Sequence, residues 1–440
     1  MLTKEQNDLL TQTGPGTPGG DLLRRYWQPI ALVNEIPPGG DPLPIDILSE
    51  KLVLFRDEHG KLGLLDRHCP HRGADLSYGR IEDGGLRCLY HGWLFDVKGK
   101  CLDQPAEPKG STFKDRVCAT SYPVVERGGA VFAYMGPGEP PLFPAYDFFE
   151  YPQAHVYARK LFKECNYLQA NEGNYDPAHV GFLHWSSQRR NDYGLVFGKL
   201  KKFGRVDLSD AEIDPFQTPQ IKVEDAPFGL RIFQIRDGGP HKTYLRVTTF
   251  GMPNFSVIAG PQGGDGHVGI WHVPINDYCH WRFGFTLRRD AAIADARQGN
   301  EFAPSIRPRD PQYFDGEFHH RQRLDNRYMQ DRSTFGESFT GMGPNFSVHD
   351  AFATESQGAI QDRTKEHLGR TDLAIGAARR LMLRGIADVQ AGKDPLGVIR
   401  ADEDNDFHDM ISFDVLVEDG SDYSEVIRTV ADETEQKASQ

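Results

Sequence analysis

The stretch "CPHRGADLSYGRIEDGGLRCLYHGW" (residues 69–93) holds two cysteine–histidine pairs: Cys69 with His71, and Cys88 with His91. Soft thiolates and borderline imidazoles in a set of four suit zinc or an iron–sulfur cluster. Zinc knuckles usually pair Cys with Cys and His with His. Here each pair is mixed. That pairing lets one iron of a [2Fe–2S] cluster take both thiolates and the other take both imidazoles. A structural zinc site is the alternative. Pro70, Gly73 and Gly92 flank the donors and allow the backbone to wrap tightly.

A second group lies in "NYLQANEGNYDPAHVGFLHW" (166–185), where Asp176, His179 and His184 stand at i, i+3 and i+8. Two neutral imidazoles and a carboxylate form the facial set of non-haem Fe(II) oxygenases. On an unbroken helix Asp176 and His179 share a face. The same helix turns His184 about 140° away from His179. Both histidines reach one metal only if the helix is distorted or ends between them, and Gly181 is the candidate break. The bland alternative is a pair of histidines on a partly buried helix.

The elements that must position these residues divide the chain. Thr3 and Gln6 form a capping box for a first helix, ended by "TGPGTPGG" (13–20). Residues 30–135 carry short strand-like runs, "PIDILS", "KLVLFRD", "KLGLLD" and "AVFAYMG". Turns at Asp57-Glu58-His59-Gly60 and Lys98-Gly99 separate them, as in a small antiparallel domain with ligand loops at hairpin tips. "GPGEPPLFP" (136–144) is a linker by composition. Further on, "LRIFQIRD", "TYLRVTTFG" and "WRFGFTLRR" are strand-like, and 162–183, 350–366 and 372–391 are helix candidates. The resulting division is 1–29 (helix and arm), 30–140 (cluster domain) and 141–440 (second domain, with the polar tail "ADETEQKASQ").

The 440 residues carry a net charge of −13, which argues against a nucleic-acid or anionic-membrane partner. No signal-like or membrane-spanning run is visible. Six cysteines do not make a disulfide framework. A reducing cytoplasm is the expected home, with Cys101, Cys118, Cys165 and Cys279 as free thiols.

The cluster stretch, continuing into "HGWLFDVKGKC", resembles the Rieske domain of ring-hydroxylating and demethylating oxygenases. Respiratory Rieske proteins usually add a disulfide-forming Cys in each loop. Here 72–74 are Arg-Gly-Ala and 89–90 are Leu-Tyr, which favours a low-potential centre. With "LTQTGPGTPGGDLLRRYWQPI", 166–185 and 326–369, nearly the whole chain resembles a Rieske non-haem iron oxygenase large (alpha) subunit of the phthalate-dioxygenase-like branch. The resemblance implies an α+β chain: an N-terminal all-β Rieske [2Fe–2S] domain followed by a helix-grip (START-like) catalytic domain with mononuclear iron. It implies cluster ligands Cys69, His71, Cys88 and His91. It implies iron ligands His179 and His184, with Asp176 as a bridge to the cluster and not a ligand. The iron's carboxylate comes from a later helix, after "NRYMQDR" (326–332) and "FTGM" (339–342), in "HDAFATESQGAIQDRTKEHLG". Asp350 holds that place; Asp362 is the rival, assigned to a structural segment. Glu355 and Glu366 are expected to be solvated helix residues.

The resemblance further implies activation of O2 with two electrons, refilled by a separate NADH-dependent flavin/iron–sulfur reductase. "GPGTPGG" and "GPQGGDG" lack the order and context of a dinucleotide fingerprint. It implies a homotrimer or hexamer in which His91 of one subunit meets Asp176 of the next. The expected activity is cis-dihydroxylation of an aromatic acid, phthalate-type. The alternatives are O-demethylation of a methoxylated or ether-linked aromatic acid, and a Rieske electron carrier without oxygenase activity. A carboxylated substrate needs Arg and Ser donors. Ser186, Ser187, Arg189, Arg190, Arg236 and Arg246 are the candidates.

Overall fold

A computed structural model describes residues 1–185, 217–259, 266–289, 292–293, 314–316, 318–343 and 345–438. Helix α1 (Lys4–Thr11) starts at the expected capping box, with Thr3 and Gln6 exchanging side chain-to-backbone hydrogen bonds. The Gly/Pro run after it opens a second, unforeseen helix, α2 (Pro18–Leu23), capped by Thr17 with Pro at its first turn.

The amino-terminal part holds eleven strands: β1 (Gln28–Leu32), β2 (Leu43–Ile47), β3 (Glu50–Arg56), β4 (Leu62–Asp66), β5 (Arg80–Glu82), β6 (Gly85–Arg87), β7 (Leu94–Phe95), β8 (Cys101–Asp103), β9 (Ser121–Tyr122), β10 (Val124–Arg127) and β11 (Ala130–Ala133). They form antiparallel sheets in the orders β1-β11-β10, β2-β3-β4-β9 and β5-β6-β7-β8. The turns at Gly60 and Gly99 have φ of 81° in both cases, a region glycine enters without steric cost.

The second part is built on one antiparallel sheet. Its strands are β12 (Val156–Lys163), β13 (Gln220–Ala226), β14 (Gly229–Asp237), β15 (Lys242–Gly251), β16 (Phe255–Ala259), β17 (Gly266–Asn276) and β18 (Cys279–Arg288). The order is β12-β18-β17-β16-β15-β14-β13. A two-stranded ribbon, β19 (Phe314–Asp315) with β20 (His319–His320), packs against β12. Strand β21 (Phe413–Glu418) completes the large sheet: β15 pairs with β16 at Thr249–Gly251 and with β21 at Lys242–Val247.

Helices α3 (Asp147–Glu150), α4 (Tyr167–Asn174), α5 (Val180–Leu183), α6 (Phe346–Glu355), α7 (Leu373–Gln390) and α8 (Tyr423–Ala438) pack around this sheet. Helix α7 lies against β13, β14 and α2. Gly385 permits that approach, since a Cβ there would stand 2.8 Å from Met252 Cε and 3.1 Å from Leu22 Cδ1.

One hydrophobic core runs through both parts, joining Trp27, Phe132 and Tyr134 to Phe148, Trp271 and Phe285. The Pro/Gly-rich stretch 136–144 is pinned to it: Trp27 Nε1 donates to the Pro141 carbonyl, and Leu142 N to the Ile399 carbonyl. A smaller core, including Val53, Phe55, Leu86 and Phe95, encloses Cys69 and Cys88.

Two helix expectations are corrected. The 162–183 candidate is the end of β12 plus two short helices, α4 and α5, with a break at 175–179. Pro177 lacks the N–H that a continuous helix needs and disfavours helical geometry at the residue before it. The 350–366 candidate begins earlier, at Phe346, and ends at Glu355; Gly358 has φ of 92°. Candidate 372–391 corresponds to α7. Among the described residues no helix is long and apolar enough to cross a membrane.

Candidate metal centres and the family they define

The two cysteine–histidine loops close in the same way. Cys69 N donates to the Ala74 carbonyl at 2.8 Å, and Gly73 N to the Cys69 carbonyl at 2.8 Å. Cys88 N donates to the Trp93 carbonyl at 2.8 Å, and Gly92 N to the Cys88 carbonyl at 3.0 Å. Gly73 and Gly92 both have φ of 75°, which an L side chain adopts only with strain. On this shared frame the histidine sits one residue later in the second loop. The offset lets two imidazoles approach from opposite loops. Their ring centroids are 4.5 Å apart, and His71 stacks on Trp93 at 4.3 Å.

The donor set fits an asymmetric cluster. Cys69 and Cys88 are 2% and 3% exposed, whereas both histidines are half-buried. Burial, and after it the adjacent Cys88, push the Cys69 thiol up to about 11. Metal binding is what draws such thiols into their thiolate form. His91 Nδ1 is buried without a hydrogen-bond partner, as a nitrogen turned toward a metal would be. All six cysteines are free.

At the second centre, His179 and His184 cap the two ends of the single turn α5. Because the helix begins after one and stops at the other, the rotation that separates them on a long helix does not arise. The rings stand 5.2 Å apart. Asp350 reaches them from α6, whose N-cap Asn345 accepts from Ser347 N. One donor atom from each of His179, His184 and Asp350 lies within 4.8 Å of the others. Asp362 is elsewhere, exposed and paired with Lys365 and Thr364.

The hydrogen bonds fix which nitrogen of His184 is bare. His349 Nε2 lies 2.9 Å from the Gly343 carbonyl, which only accepts, and 3.2 Å from Thr340 Oγ1. Its proton is therefore on Nε2, and its Nδ1 accepts from His184 Nδ1 at 3.4 Å. His184 Nε2 then carries a lone pair, 3.0 Å from Asp350 Oδ1. Two acceptors at that distance need a positive charge shared with them, either a second proton on His184, which then donates to Asp350, or a metal ion. Burial works to raise the Asp350 pKa, but His184 and His179 hold it well below the ordinary carboxylate range. Sequence reasoning missed His349. Its signal was adjacency to Asp350, since a neighbouring residue on the ligand helix is placed to orient another ligand.

Asp176 is a correction to the shared-helix-face expectation: it lies in the break before α5. Its Oδ1 accepts from Ala178 N at 2.8 Å, and Oδ2 is 3.4 Å from His179 Nδ1. Burial alone would lower the His179 pKa; Asp176 raises it above its ordinary value. Glu355 and Glu366 are also corrected. Glu355 is buried and accepts from Tyr328 Oη at 2.6 Å. Glu366 is largely buried against Arg379.

A cavity of about 540 Å³ opens beside the triad, lined by Asp176, His179, His184 and Asp350 together with sheet residues. Arg246 lines it and pairs with Asp414 at 3.7 Å. Arg236 does not line it; its guanidinium donates to Gln234, to the Gln217 carbonyl and to the Pro177 carbonyl, bracing the turn before α5. Ser186, Ser187, Arg189 and Arg190 lie outside the described residues.

Comparison with known proteins agrees with both centres. The Rieske [2Fe-2S] domain family matches residues 26–123, and the family described as "LigXa C-terminal domain like" matches 133–440. The chain is 33% identical to the 5,5'-dehydrodivanillate O-demethylase oxygenase subunit of Sphingobium sp. (strain SYK-6), over 91% of this chain and 84% of that protein. It is 33% identical to the phthalate 4,5-dioxygenase oxygenase subunit of Pseudomonas putida, over 90% and 89%. Its fold is similar to that in the reduced complex between oxygenase and ferredoxin in carbazole 1,9a-dioxygenase, with a TM-score of 0.56, 21% identity, and coverage of 89% and 92%. The chain thus belongs to the Rieske non-haem iron oxygenases, the oxygenase subunits of ring-hydroxylating and O-demethylating systems, as an oxidoreductase carrying a [2Fe–2S] cluster and a mononuclear iron.

Proposed function

We propose that this chain is the terminal oxygenase that hydroxylates an aromatic acid, with ring cis-dihydroxylation of a phthalate-type substrate as the favoured reaction. The observation that carries this reading is the convergence of His179, His184 and Asp350 at the wall of the large cavity. In this reading Cys69, His71, Cys88 and His91 hold the cluster, and the triad holds the iron. When bound, the cluster supplies single electrons and the mononuclear iron supplies dioxygen activation.

The chain's own residues do the rest. His349 keeps the proton of His184 on Nδ1, and with it the metal-facing lone pair on Nε2. Asp176 faces His179 Nδ1 and orients the second imidazole. Apolar walls at Leu161, Ile258, Val268 and Ile270 keep water from a ring lodged in the cavity. The half-buried His91 has exposed Leu89 and Tyr90 beside it. There it meets Asp176 of a neighbouring subunit in a trimer or hexamer, and an NADH-dependent flavin/iron–sulfur reductase refills the cluster. O-demethylation is the second reading, favoured by the similarity to an O-demethylase subunit.

The test is a product screen with NADH, a matched reductase and 18O2, using phthalate, benzoate and methoxybenzoates. A cis-dihydrodiol with both labelled oxygens supports the first reading. Phenol plus formaldehyde moves the assignment to the second. NADH oxidation without product from any of these acids contradicts both.

A further inference from the structure

Six basic side chains line the cavity beside the triad: Arg159, Lys160, Lys163, Arg246, Arg282 and Arg379. Four have defined partners. Lys160 pairs with Glu35 at 2.6 Å, Lys163 donates to the Ser347 carbonyl at 3.1 Å, Arg246 pairs with Asp414, and Arg379 pairs with Glu172 and Glu366. Arg159 and Arg282 have no carboxylate partner among the described residues. Arg159 Nε is buried with no hydrogen-bond partner at all.

The sheet register places these two guanidinium groups together. Arg159 on β12 lies opposite Gly284 on β18, and Arg282 lies opposite Leu161, two residues along the same face. Gly284 leaves the gap into which both side chains lean. A Cβ built there would stand 3.2 Å from Arg159 Nε and 3.8 Å from Arg282 Nη1. Two like charges are thus held side by side in a largely apolar cavity. Burial, and next the charge of Arg282, push the Arg159 guanidinium below its ordinary pKa. Such an arrangement is costly unless an anion completes it. Arg282 and Asp350 line the same cavity; burial lowers the Arg282 pKa and the Asp350 carboxylate works against it.

We propose that Arg159 and Arg282, set over Gly284, form the anchor for a carboxylate of the organic substrate, so that the ring it carries lies between the pair and the triad. A planar carboxylate matches the guanidinium fork in a way that a neutral ester does not. The proposal rests on the oxygenase reading and deepens it by assigning the substrate's charge to two residues absent from the sequence candidates.

Binding to iron-replete holoenzyme, followed by isothermal titration calorimetry without turnover, tests it. The probes are benzoate, phthalate and 4-methoxybenzoate, each beside its methyl ester. At least one acid should bind tenfold or more tighter than its ester, and added salt should weaken only the acid. Arg159→Gln and Arg282→Gln should each weaken that acid by roughly tenfold to hundredfold, the scale of a lost charge-assisted hydrogen bond, and leave the ester unchanged. Iron content and the cluster's visible spectrum should stay as in the wild type. The proposal is overturned if no acid is preferred over its ester, if the glutamine variants bind the acid normally, or if acid and ester weaken together. Should a glutamine variant lose iron or cluster, Arg159→Lys and Arg282→Lys decide: retained preference for the acid supports the anchor, and its loss with the ester still bound overturns it. Iron content reports on the oxygenase reading separately, so the two can fail independently.

Discussion

Asp176→Asn is expected to leave both metal centres assembled while turnover falls on the order of hundredfold. Asparagine keeps the size of the side chain and one carbonyl oxygen, enough to accept from Ala178 N as Asp176 Oδ1 does at 2.8 Å. The local turn should therefore survive. What is lost is the negative charge and the second acceptor facing His179 Nδ1 at 3.4 Å. The Asp176 carboxylate works against burial to raise the His179 pKa, and in the proposed assembly it is also the bridge to His91 of the neighbouring subunit. The variant should bind iron, have its cluster reduced by the external reductase, and bind substrate. Product formation per reduced cluster is the quantity that should collapse. Normal turnover with both centres filled would rule out the bridging role. Loss of iron would instead make Asp176 a support for the metal site itself.

Asp350→Ala should have the larger effect on the mononuclear centre and none on the cluster. It removes the triad's carboxylate and leaves two imidazoles, a neutral remnant poorly suited to Fe(II). Without the iron that supplies dioxygen activation, turnover should fall below detection. The visible spectrum of the cluster should be unchanged, because its donors sit in the smaller core around Val53, Phe55 and Leu86. Asp362→Ala is the control: that carboxylate is exposed and pairs only locally with Lys365 and Thr364. The opposite pattern, with iron lost in Asp362→Ala and kept in Asp350→Ala, would reverse the assignment.

What was legible in the sequence was what local chain chemistry controls. The two ligand loops were readable because each carries its cysteine and turn glycine within a few residues. The capping box of α1 and the strand runs of β2, β3, β4 and β11 follow from short-range pattern as well. The helical reading of 162–183 failed at Pro177, which breaks the segment and lets His179 and His184 face one point. Glu355 and Glu366 looked solvated because their partners, Tyr328 and Arg379, come from other elements. His349 needed a carbonyl from Gly343 to reveal its tautomer. Arg159 and Arg282 were invisible for the same reason: only the pairing of β12 with β18 brings them to one gap. Non-local register and buried ion pairing are set by tertiary structure, and a linear pattern does not encode them in readable form.

One chain carries two distinct iron centres, and metal analysis tests this most directly. Anaerobically purified, iron-replete protein should contain about three irons and about two acid-labile sulfides per chain, the sum of a [2Fe–2S] cluster and one further iron. On reduction it should give the electron paramagnetic resonance signal of a cluster with mixed thiolate and imidazole ligation. Two irons with two sulfides would leave His179, His184 and Asp350 without their metal and make the chain an electron carrier. Zinc with no visible absorption would contradict the cluster as well.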